Sequence, residues 1–214
     1  MAAALDAEGW DRLYSEKEWA LSLEPSAILV DLVSPLEAGR AIDLGAGEGR
    51  NSSWLAERGW QVLAVDFSAV ALEKAERRAE RCGLHAKFIV ADLADFQPAA
   101  RAYDLVLSAY VHPEATKRAA MFALAAEAVA PGGHLLVLGL DLAGVRPGRE
   151  ERTEPERRYT PDRLAGAFPG MELVRCESVA RELETEQGPV RTVDTVIWGR
   201  RPDESCQGTQ YRLG

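Results

Sequence analysis

The chain has 214 residues, of which 47% are apolar and 28% are charged. This length suits one α/β domain with a substantial core and is short for two, and the composition excludes disordered, collagen-like and disulfide-stapled proteins. The formal net charge of -9 argues against long-range attraction to nucleic acid or to an anionic membrane, which favours a small or protein-borne partner.

The cysteines and the N-terminus give no sign of an oxidised or membrane-bound protein. Cys82, Cys176 and Cys206 are widely spaced and form no CxxC pair, so we predict neither a disulfide framework nor a metal site. Residues 1–10 lack a basic segment followed by an apolar run, and every apolar stretch is far shorter than the roughly 18 residues that span a bilayer. We expect a cytoplasmic protein that is a monomer or a homodimer.

Strand and helix patterns alternate along most of the chain. Two helices are predicted first, at residues 10–20 and 25–33, from apolar residues at helical spacing. Strands are then predicted at 40–44, 61–65, 87–90, 103–108 and 134–140, with helices between them at 54–58, 69–81 and 113–130. The fifth strand lacks polar alternation, which is typical of a parallel strand buried on both faces.

The last part of the chain predicts a different arrangement. After a loop at 143–158, a short helix is expected at 160–168, and strands at 172–183 and 190–198 flank Gln187-Gly188-Pro189 as an antiparallel hairpin. Connections between parallel strands are right-handed, so this order of elements predicts a three-layer αβα sandwich. Its sheet would have seven mostly parallel strands and end in a C-terminal antiparallel hairpin.

These elements are expected to form one domain over residues 1–200. It would comprise a helical lid at 1–38, a ligand-binding core at 39–142, and the short helix with the hairpin at 159–200. Residues 201–214 are predicted to be a flexible tail.

A glycine-rich segment follows the first strand. Asp43 to Gly49 reads D-x-G-x-G-x-G, in which the glycines let the backbone approach a ligand closely. A dinucleotide fingerprint counted from Gly45 would need its third glycine at position 50, which is Arg50. A nicotinamide-dependent oxidoreductase is therefore disfavoured.

Acidic residues end three successive strands, at Asp43, Asp66 and Asp92. Ligands of doubly wound sheets bind beyond the carboxyl ends of the strands, where Asp66 suits ribose hydroxyls. Asp92 suits an adenine amino group, beside the backbone N–H of Leu93. Each acid alone could equally cap the next helix, but together with the glycines they favour a nucleoside site.

Several segments resemble the class I S-adenosylmethionine-dependent methyltransferases, which have a Rossmann-like fold. The resemblance lies in residues 41–92, in Tyr103-Asp104-Leu105-Val106 and in Ala130-Pro131-Gly132-Gly133. It implies S-adenosyl-L-methionine as the cofactor, S-adenosyl-L-homocysteine as the product, and a small acceptor such as a thiol or an amine. The acids suit the positive charge of that cofactor.

A narrower resemblance is to the tellurite-resistance and thiopurine methyltransferase-like branch. It rests on Gly49-Arg50-Asn51-Ser52 and Val65-Asp66-Phe67-Ser68, with Trp10-Asp11 and Glu24-Pro25 upstream. The expected cofactor-binding residues are Asp43, Gly45, Ala46, Gly47, Asn51, Asp66, Phe67, Asp92, Leu93 and Ser108.

The terminal hairpin departs from the tellurite-type pattern. Enzymes of that type carry a His-Arg pair after a Glu-Leu, whereas here Glu182-Leu183 is followed by Glu184-Thr185. The local charge now repels anions, which disfavours an oxyanion acceptor, although Arg181 and Arg191 could partly substitute.

Two residues after the fourth strand are the candidate catalytic residues, His112 and Tyr110. His85 and His134 open strands at the opposite end of the sheet, so geometry selects His112 if a base is used; an ordinary loop histidine is the alternative. Methyl transfer is an in-line displacement that alignment and exclusion of water can accelerate without a base. Trp10, in the lid, is interpreted as a core residue, with packing on the ligand as the alternative.

Two other function classes remain to be compared with an enzyme acting on a small molecule. A nucleic-acid methyltransferase is disfavoured by the charge and by the lack of an Asn/Asp-Pro-Pro-Tyr/Phe signature or a Pro-Cys nucleophile. A sensor or interaction module that binds the cofactor without turnover stays open, because the fold alone does not fix the function.

Overall fold

The alternating strands and helices assemble into one mixed sheet with helices on both faces. The structure is a computed structural model that describes residues 6–144, 155–185 and 188–203. The elements are α1 (Ala7–Ser15), α2 (Ala27–Val33), β1 (Arg40–Leu44), α3 (Arg50–Glu57), β2 (Gln61–Asp66), α4 (Ala69–Arg81), β3 (Ala86–Val90), β4 (Tyr103–Ala109), α5 (Ala115–Ala128), β5 (Val129–Leu140), α6 (Pro161–Leu164), β6 (Glu172–Thr185) and β7 (Gly188–Arg200).

The sheet has seven strands in the order β3-β2-β1-β4-β5-β7-β6. The first five strands pair in parallel, while β7 pairs antiparallel with both β5 and β6. The chain order reverses between β1 and β4, which creates the crevice in which ligands of such sheets bind. The predicted fold class, with a C-terminal antiparallel hairpin, is confirmed.

Two apolar clusters cover the two faces of the sheet because successive strand residues point to opposite sides. In β1, Ile42 belongs to the cluster that contains Phe122 of α5, whereas Ala41 belongs to the cluster that contains Leu29 of α2 and Leu55 of α3. Both faces are therefore buried under helices, which explains the continuous apolar runs of the central strands.

Local sequence signals set several element ends. Ser68 caps α4 by accepting the Ala71 N–H at 3.1 Å, and Thr160 caps α6 by accepting the Arg163 N–H at 3.3 Å. Gly83 follows α4 with a φ of 65°, a left-handed backbone that glycine adopts without strain. Strand 40–44 and helix 69–81 have the predicted bounds.

Other bounds differ from the predictions for identifiable reasons. The helix predicted at 54–58 begins at Arg50, directly after Gly49, because the polar residues of its first turn hide the apolar period. The helix expected at 113–130 ends at Ala128, and β5 begins at Val129 with a register irregularity against β4. The short helix expected at 160–168 covers only Pro161–Leu164.

The first helix also departs from the expectation. It covers Ala7–Ser15 instead of 10–20, because the Glu48 carboxylate accepts the backbone N–H groups of Ala20 and Leu21 and draws that segment out of helical conformation.

Part of the predicted loop (145–154) and of the predicted tail (204–214) lies outside the described residues. Within the described part, no helix has the length and apolar character needed to cross a membrane.

Candidate functional site

A cavity of about 460 Å³ opens at the carboxyl ends of β1, β2, β3 and β4. The segment before β1 and the turns after these strands form its walls. Most of the site residues expected from the sequence line it, namely Gly45, Ala46, Gly47, Asn51, Asp66, Phe67, Asp92, Leu93, Tyr110 and His112. The fold thus brings together, at one edge of the sheet, residues that are distant in the sequence.

The glycine-rich turn after β1 is held against the neighbouring strands. The N–H groups of Gly45 and Ala46 donate to the Val65 carbonyl at 2.8 and 3.0 Å. Gly45 has a φ of 85°, and a Cβ there would lie 2.1 Å from Val111 Cγ2. Only glycine fits this close approach, so the turn can present backbone to the cavity.

Asp66 joins the turn to the end of β2. One carboxylate oxygen accepts the Gly47 N–H at 2.8 Å, and the other accepts the Ser68 N–H at 2.9 Å. Burial raises the pKa of Asp66, and the hydrogen bonds from Ser68 and Gly47 oppose that rise. The carboxylate is therefore fixed in position at the cavity wall.

Asp43 and Ser108 lie on the adjacent strands β1 and β4 but are not among the residues that line the cavity. Each is 1% exposed. Asp43 accepts the Ser52 hydroxyl at 2.7 Å, and burial raises the pKa of Asp43 to about 6. Asp43 Oδ1 and Ser108 Oγ have no hydrogen-bond partner among the residues that the structure describes.

The remaining predicted residues occupy two sides of the cavity. Asp92 is exposed after β3 and accepts the Ala94 N–H at 2.8 Å, with Leu93 buried beside it. Asn51, at the start of α3, accepts the Ser26 N–H at 3.0 Å and so also ties α2 to the site.

The N-terminal segment, residues 7–21, covers the cavity. Trp10, Tyr14 and Leu21 line it, and the rings of Trp10 and Tyr14 stack with centroids 5.4 Å apart. The interpretation of Trp10 as a core residue is wrong, because its half-buried ring faces the cavity. A Cβ on Gly47 would lie 3.0 Å from the Tyr14 hydroxyl, which places that hydroxyl directly over the turn.

A buried ion pair holds this cover in place. Lys74 Nζ lies 3.0 Å from Glu48 Oε1 and donates to the carbonyls of Tyr14 and Lys17, while Glu48 binds the segment at Ala20 and Leu21. We call Glu48 and Lys74 the latch. Neither residue was predicted from the sequence: an acid inside a buried glycine-rich turn was a usable signal for Glu48, but no pattern marks Lys74.

His112 is held by the backbone through both ring nitrogens. Nδ1 lies 3.2 Å from the Arg157 carbonyl, which only accepts, and Nε2 lies 3.2 Å from the Leu140 N–H, which only donates. The ring is therefore a neutral Nδ1–H tautomer. Burial lowers the pKa of His112 to about 4, and the Arg157 hydrogen bond opposes this. This geometry offers no free lone pair and does not support a base.

Tyr110 connects the cavity to the terminal hairpin. Its hydroxyl donates to Asp194 Oδ2 at 2.7 Å, and the same oxygen accepts Arg181 Nε. Asp194 is fully buried on β7. Burial raises the pKa of Tyr110, and the Asp194 carboxylate raises it further. Arg181, which was considered as a partial substitute for the missing His-Arg pair, forms an ion pair with Asp194.

Comparison with known proteins relates these features to methyltransferases. Residues 41–133 match the family described as a methyltransferase domain. A ribosomal RNA small subunit methyltransferase C of Alcanivorax borkumensis is 40% identical over 70 residues, which cover 33% of this chain and 21% of that protein. A 2-heptyl-1-hydroxyquinolin-4(1H)-one methyltransferase of Mycobacteroides abscessus is 27% identical over 157 residues, which cover 71% of this chain and 69% of that protein. The chain thus spans about a fifth of the first relative's length.

Solved structures share the fold. TehB from Haemophilus influenzae has a TM-score of 0.69 and 18% identity, covering 91% of this chain and 66% of that one. The N-methyltransferase NodS from Bradyrhizobium japonicum, in complex with S-adenosyl-L-homocysteine, has a TM-score of 0.70 and 17% identity, covering 92% of this chain and 98% of that one.

Proposed function

Because the chain carries a methyltransferase-domain match and resembles the class I S-adenosylmethionine-dependent methyltransferases, the tellurite-resistance branch included, we propose that it transfers a methyl group from S-adenosyl-L-methionine to a small-molecule acceptor. One observation carries the proposal. The Asp66 carboxylate is fixed to the glycine-rich turn through the Gly47 N–H, inside a cavity at the switch point of the sheet.

The residues present fit this cofactor. Asp43 Oδ1 and Ser108 Oγ are buried atoms that lack a partner within the described chain, which leaves unused polar capacity on the two strands at the switch point, although neither residue lines the cavity. Asp66 can accept ribose hydroxyls, and Asp92 with the Leu93 backbone can bind an adenine edge. The acidic groups also complement a sulfonium and an ammonium.

The cofactor, when bound, supplies an electrophilic methyl group on its sulfonium. Asp66 and the turn fix the position of the nucleoside, while the latch holds Trp10 and Tyr14 over the cavity and so excludes water. Tyr110 lies directly after β4 in the same cavity wall, where its ring would contact an acceptor beside the bound cofactor. His112 acts by supporting this wall, because both of its nitrogens bind backbone.

The small size of the acceptor is inferred from three observations. The cavity is covered by the N-terminal segment, the chain has a net charge of -9, and a relative with 27% identity is a methyltransferase of a hydroxyquinolone. A thiol, an amine or an acidic hydroxyl on a flat apolar molecule fits a wall built from Leu21, Val111 and Leu140. The cytoplasmic location and the state as monomer or homodimer stay predictions.

Calorimetric titration tests the proposal. S-adenosyl-L-methionine and S-adenosyl-L-homocysteine should bind with micromolar affinity, whereas NADH should not bind. Failure of both adenosyl compounds to bind would refute the site. Transfer of labelled methyl to a thiol or hydroxyl panel then separates an enzyme from a sensor, because a sensor binds the cofactor but retains its methyl group.

A further inference from the structure

Arg50 is a cation in the cavity wall that has no partner of opposite charge in the described part of the chain. It is the first residue of α3, directly after the glycine-rich turn, and it is half-buried. Its guanidinium lies 5.4 Å from the centroid of the Tyr110 ring. Among residues 6–144, 155–185 and 188–203, that guanidinium forms no hydrogen bond and no ion pair within 4.0 Å.

Three carboxylates near Arg50 have other partners, although Asp43 Oδ1 has none among the described residues. Glu48 binds Lys74 and two backbone N–H groups, Asp66 binds the N–H groups of Gly47 and Ser68, and Asp43 accepts the Ser52 hydroxyl. Burial raises the pKa of Asp43, and Arg50 is close enough to oppose that rise. The positive charge of Arg50 thus lowers the pKa of a neighbouring carboxyl group, although none of these three carboxylates forms an ion pair with it.

Other arginines near the cavity differ from Arg50 in this respect. Arg157 lies 3.4 Å from Glu114 Oε1, and Arg181, which also stacks on the Tyr110 ring, pairs with Asp194. A guanidinium that stacks on an aromatic ring without a carboxylate keeps its N–H donors available for a planar anion. Arg50 therefore keeps unused donor capacity at the cavity wall.

A sulfonium bound in the same cavity would place a second positive charge near Arg50. Two positive charges in a partly desolvated site repel each other unless a negative group lies between or beside them. We infer that Arg50 holds an anionic oxygen of a bound ligand, either the carboxylate of the cofactor's amino-acid moiety or an ionised oxygen of the methyl acceptor. This inference rests on the proposed function.

Binding of two adenosyl ligands distinguishes the first source. S-adenosyl-L-homocysteine carries the amino-acid carboxylate, whereas 5′-methylthioadenosine shares the nucleoside and lacks that group. If Arg50 binds the carboxylate, Arg50→Gln should weaken S-adenosyl-L-homocysteine by roughly tenfold to a hundredfold and leave 5′-methylthioadenosine unchanged. Arg50→Lys, which keeps the charge, should lose less affinity.

A second titration tests the acceptor as the source. The complex with S-adenosyl-L-homocysteine is titrated with ionised 4-nitrophenol and with 4-nitroanisole, which has the same ring but no charge. If Arg50 serves the acceptor, the phenolate binds more tightly than the ether to the wild type, and Arg50→Gln abolishes that preference while leaving S-adenosyl-L-homocysteine affinity unchanged.

Arg58→Gln is the matched control. Arg58 also stacks on an aromatic ring, with its guanidinium carbon 4.1 Å from the centroid of Trp54, but it does not line the cavity. It should change neither titration, and thermal melting should show all variants folded. An Arg50→Gln protein with wild-type values in both titrations would overturn the inference. Failure of the wild type to bind either adenosyl ligand would instead refute the proposed function.

Discussion

At the scale of single residues, Asp66 has two tasks that the sequence alone could not separate. Its carboxylate closes the turn after β1 through Gly47 and begins the turn after β2 through Ser68. A residue that only capped a helix would not reach back to β1. The bond to Gly47 makes the cavity wall rigid before a ligand arrives, which lowers the entropy cost of binding.

Asp66→Asn is expected to weaken S-adenosyl-L-homocysteine by roughly tenfold to a hundredfold, because a neutral amide replaces a charged acceptor for the ribose hydroxyls. Calorimetry measures the change. Asp104→Asn is the control, since Asp104 accepts the Arg40 N–H at the opposite end of the sheet. Equal affinity of the Asp66 variant and the wild type would contradict the assigned role.

His112 should make folding stability depend on pH. Its pKa falls from an ordinary 6.5 to about 4 in the folded chain because of burial, so the unfolded chain binds more protons between these values. The free energy of unfolding contributed by this residue therefore decreases as the pH falls from 6.5 towards 4, by on the order of 3 kcal/mol.

Urea unfolding at pH 7 and pH 5 tests this dependence in wild type and in His112→Gln. The variant should lose the part of the pH dependence that His112 supplies, whereas His85→Gln, at an exposed histidine, should retain it. The comparison between proteins is needed because burial raises the pKa of Asp43 to about 6, which makes an opposing contribution in the same range. Identical curves for wild type and His112→Gln would disprove the assignment.

The strand pattern predicted the position of His112 after β4, at the cavity, but could not reveal its hydrogen-bond partners. Arg157 O and Leu140 N lie far along the chain, and only the tertiary fold brings them to the ring. The same holds for Tyr110, whose partner Asp194 is on β7. Strand ends can be located from local patterns, whereas the hydrogen-bonding state of a side chain depends on contacts that have no periodic signal.

At the scale of elements, the N-terminal segment is attached to the core mainly by polar contacts. The latch joins α4 to the segment, and Asp11 accepts the Ser68 hydroxyl at 2.5 Å. Leu21 in the same segment is 44% exposed. Few apolar contacts and several specific polar ones are typical of an element that opens locally at a lower free energy than the core.

Lys74→Met should loosen this cover. The change leaves Glu48 as a buried charge without its cation and removes the donor to two carbonyls, which is expected to cost about 3 kcal/mol or more locally. Hydrogen exchange of residues 7–21 should become faster, and S-adenosyl-L-homocysteine should dissociate faster in stopped-flow measurements.

Arg77→Ala is the matched control for the latch. Arg77 pairs with Glu73 on the same helix, but both side chains are largely exposed, at 62% and 65%. Loss of such a pair changes stability by less than about 1 kcal/mol. Equal exchange rates in Lys74→Met and Arg77→Ala would show that the latch does not hold the cover.

At the scale of the whole molecule, the fold followed from the order of strand and helix patterns together with the handedness of crossovers. The continuous apolar run at 134–140 predicted a strand buried on both faces, and Leu135 and Leu136 indeed contact opposite apolar clusters. The placement of β7 between β5 and β6 sets the position of Asp194. A hairpin pattern alone does not tell which of its two strands pairs with β5.

The net charge predicts the behaviour of the chain with nucleic acid. At -9, the protein should not retard a double-stranded ribosomal RNA fragment at about 150 mM salt, because phosphate binding needs an excess of cations. A gel-shift series with protein saturated by S-adenosyl-L-homocysteine checks this. Salt-dependent retardation would favour an RNA acceptor over a small molecule.

The position of β7 inside the sheet also governs synthesis on the ribosome. β5 is complete at Leu140, but its antiparallel neighbour ends only at Arg200, about 60 residues later. At roughly 5 to 20 residues per second, the nascent chain carries an open, apolar β5 edge for several seconds. Such an edge is a template for pairing with another chain, so a slow translation step within this interval would raise aggregation without altering the finished protein.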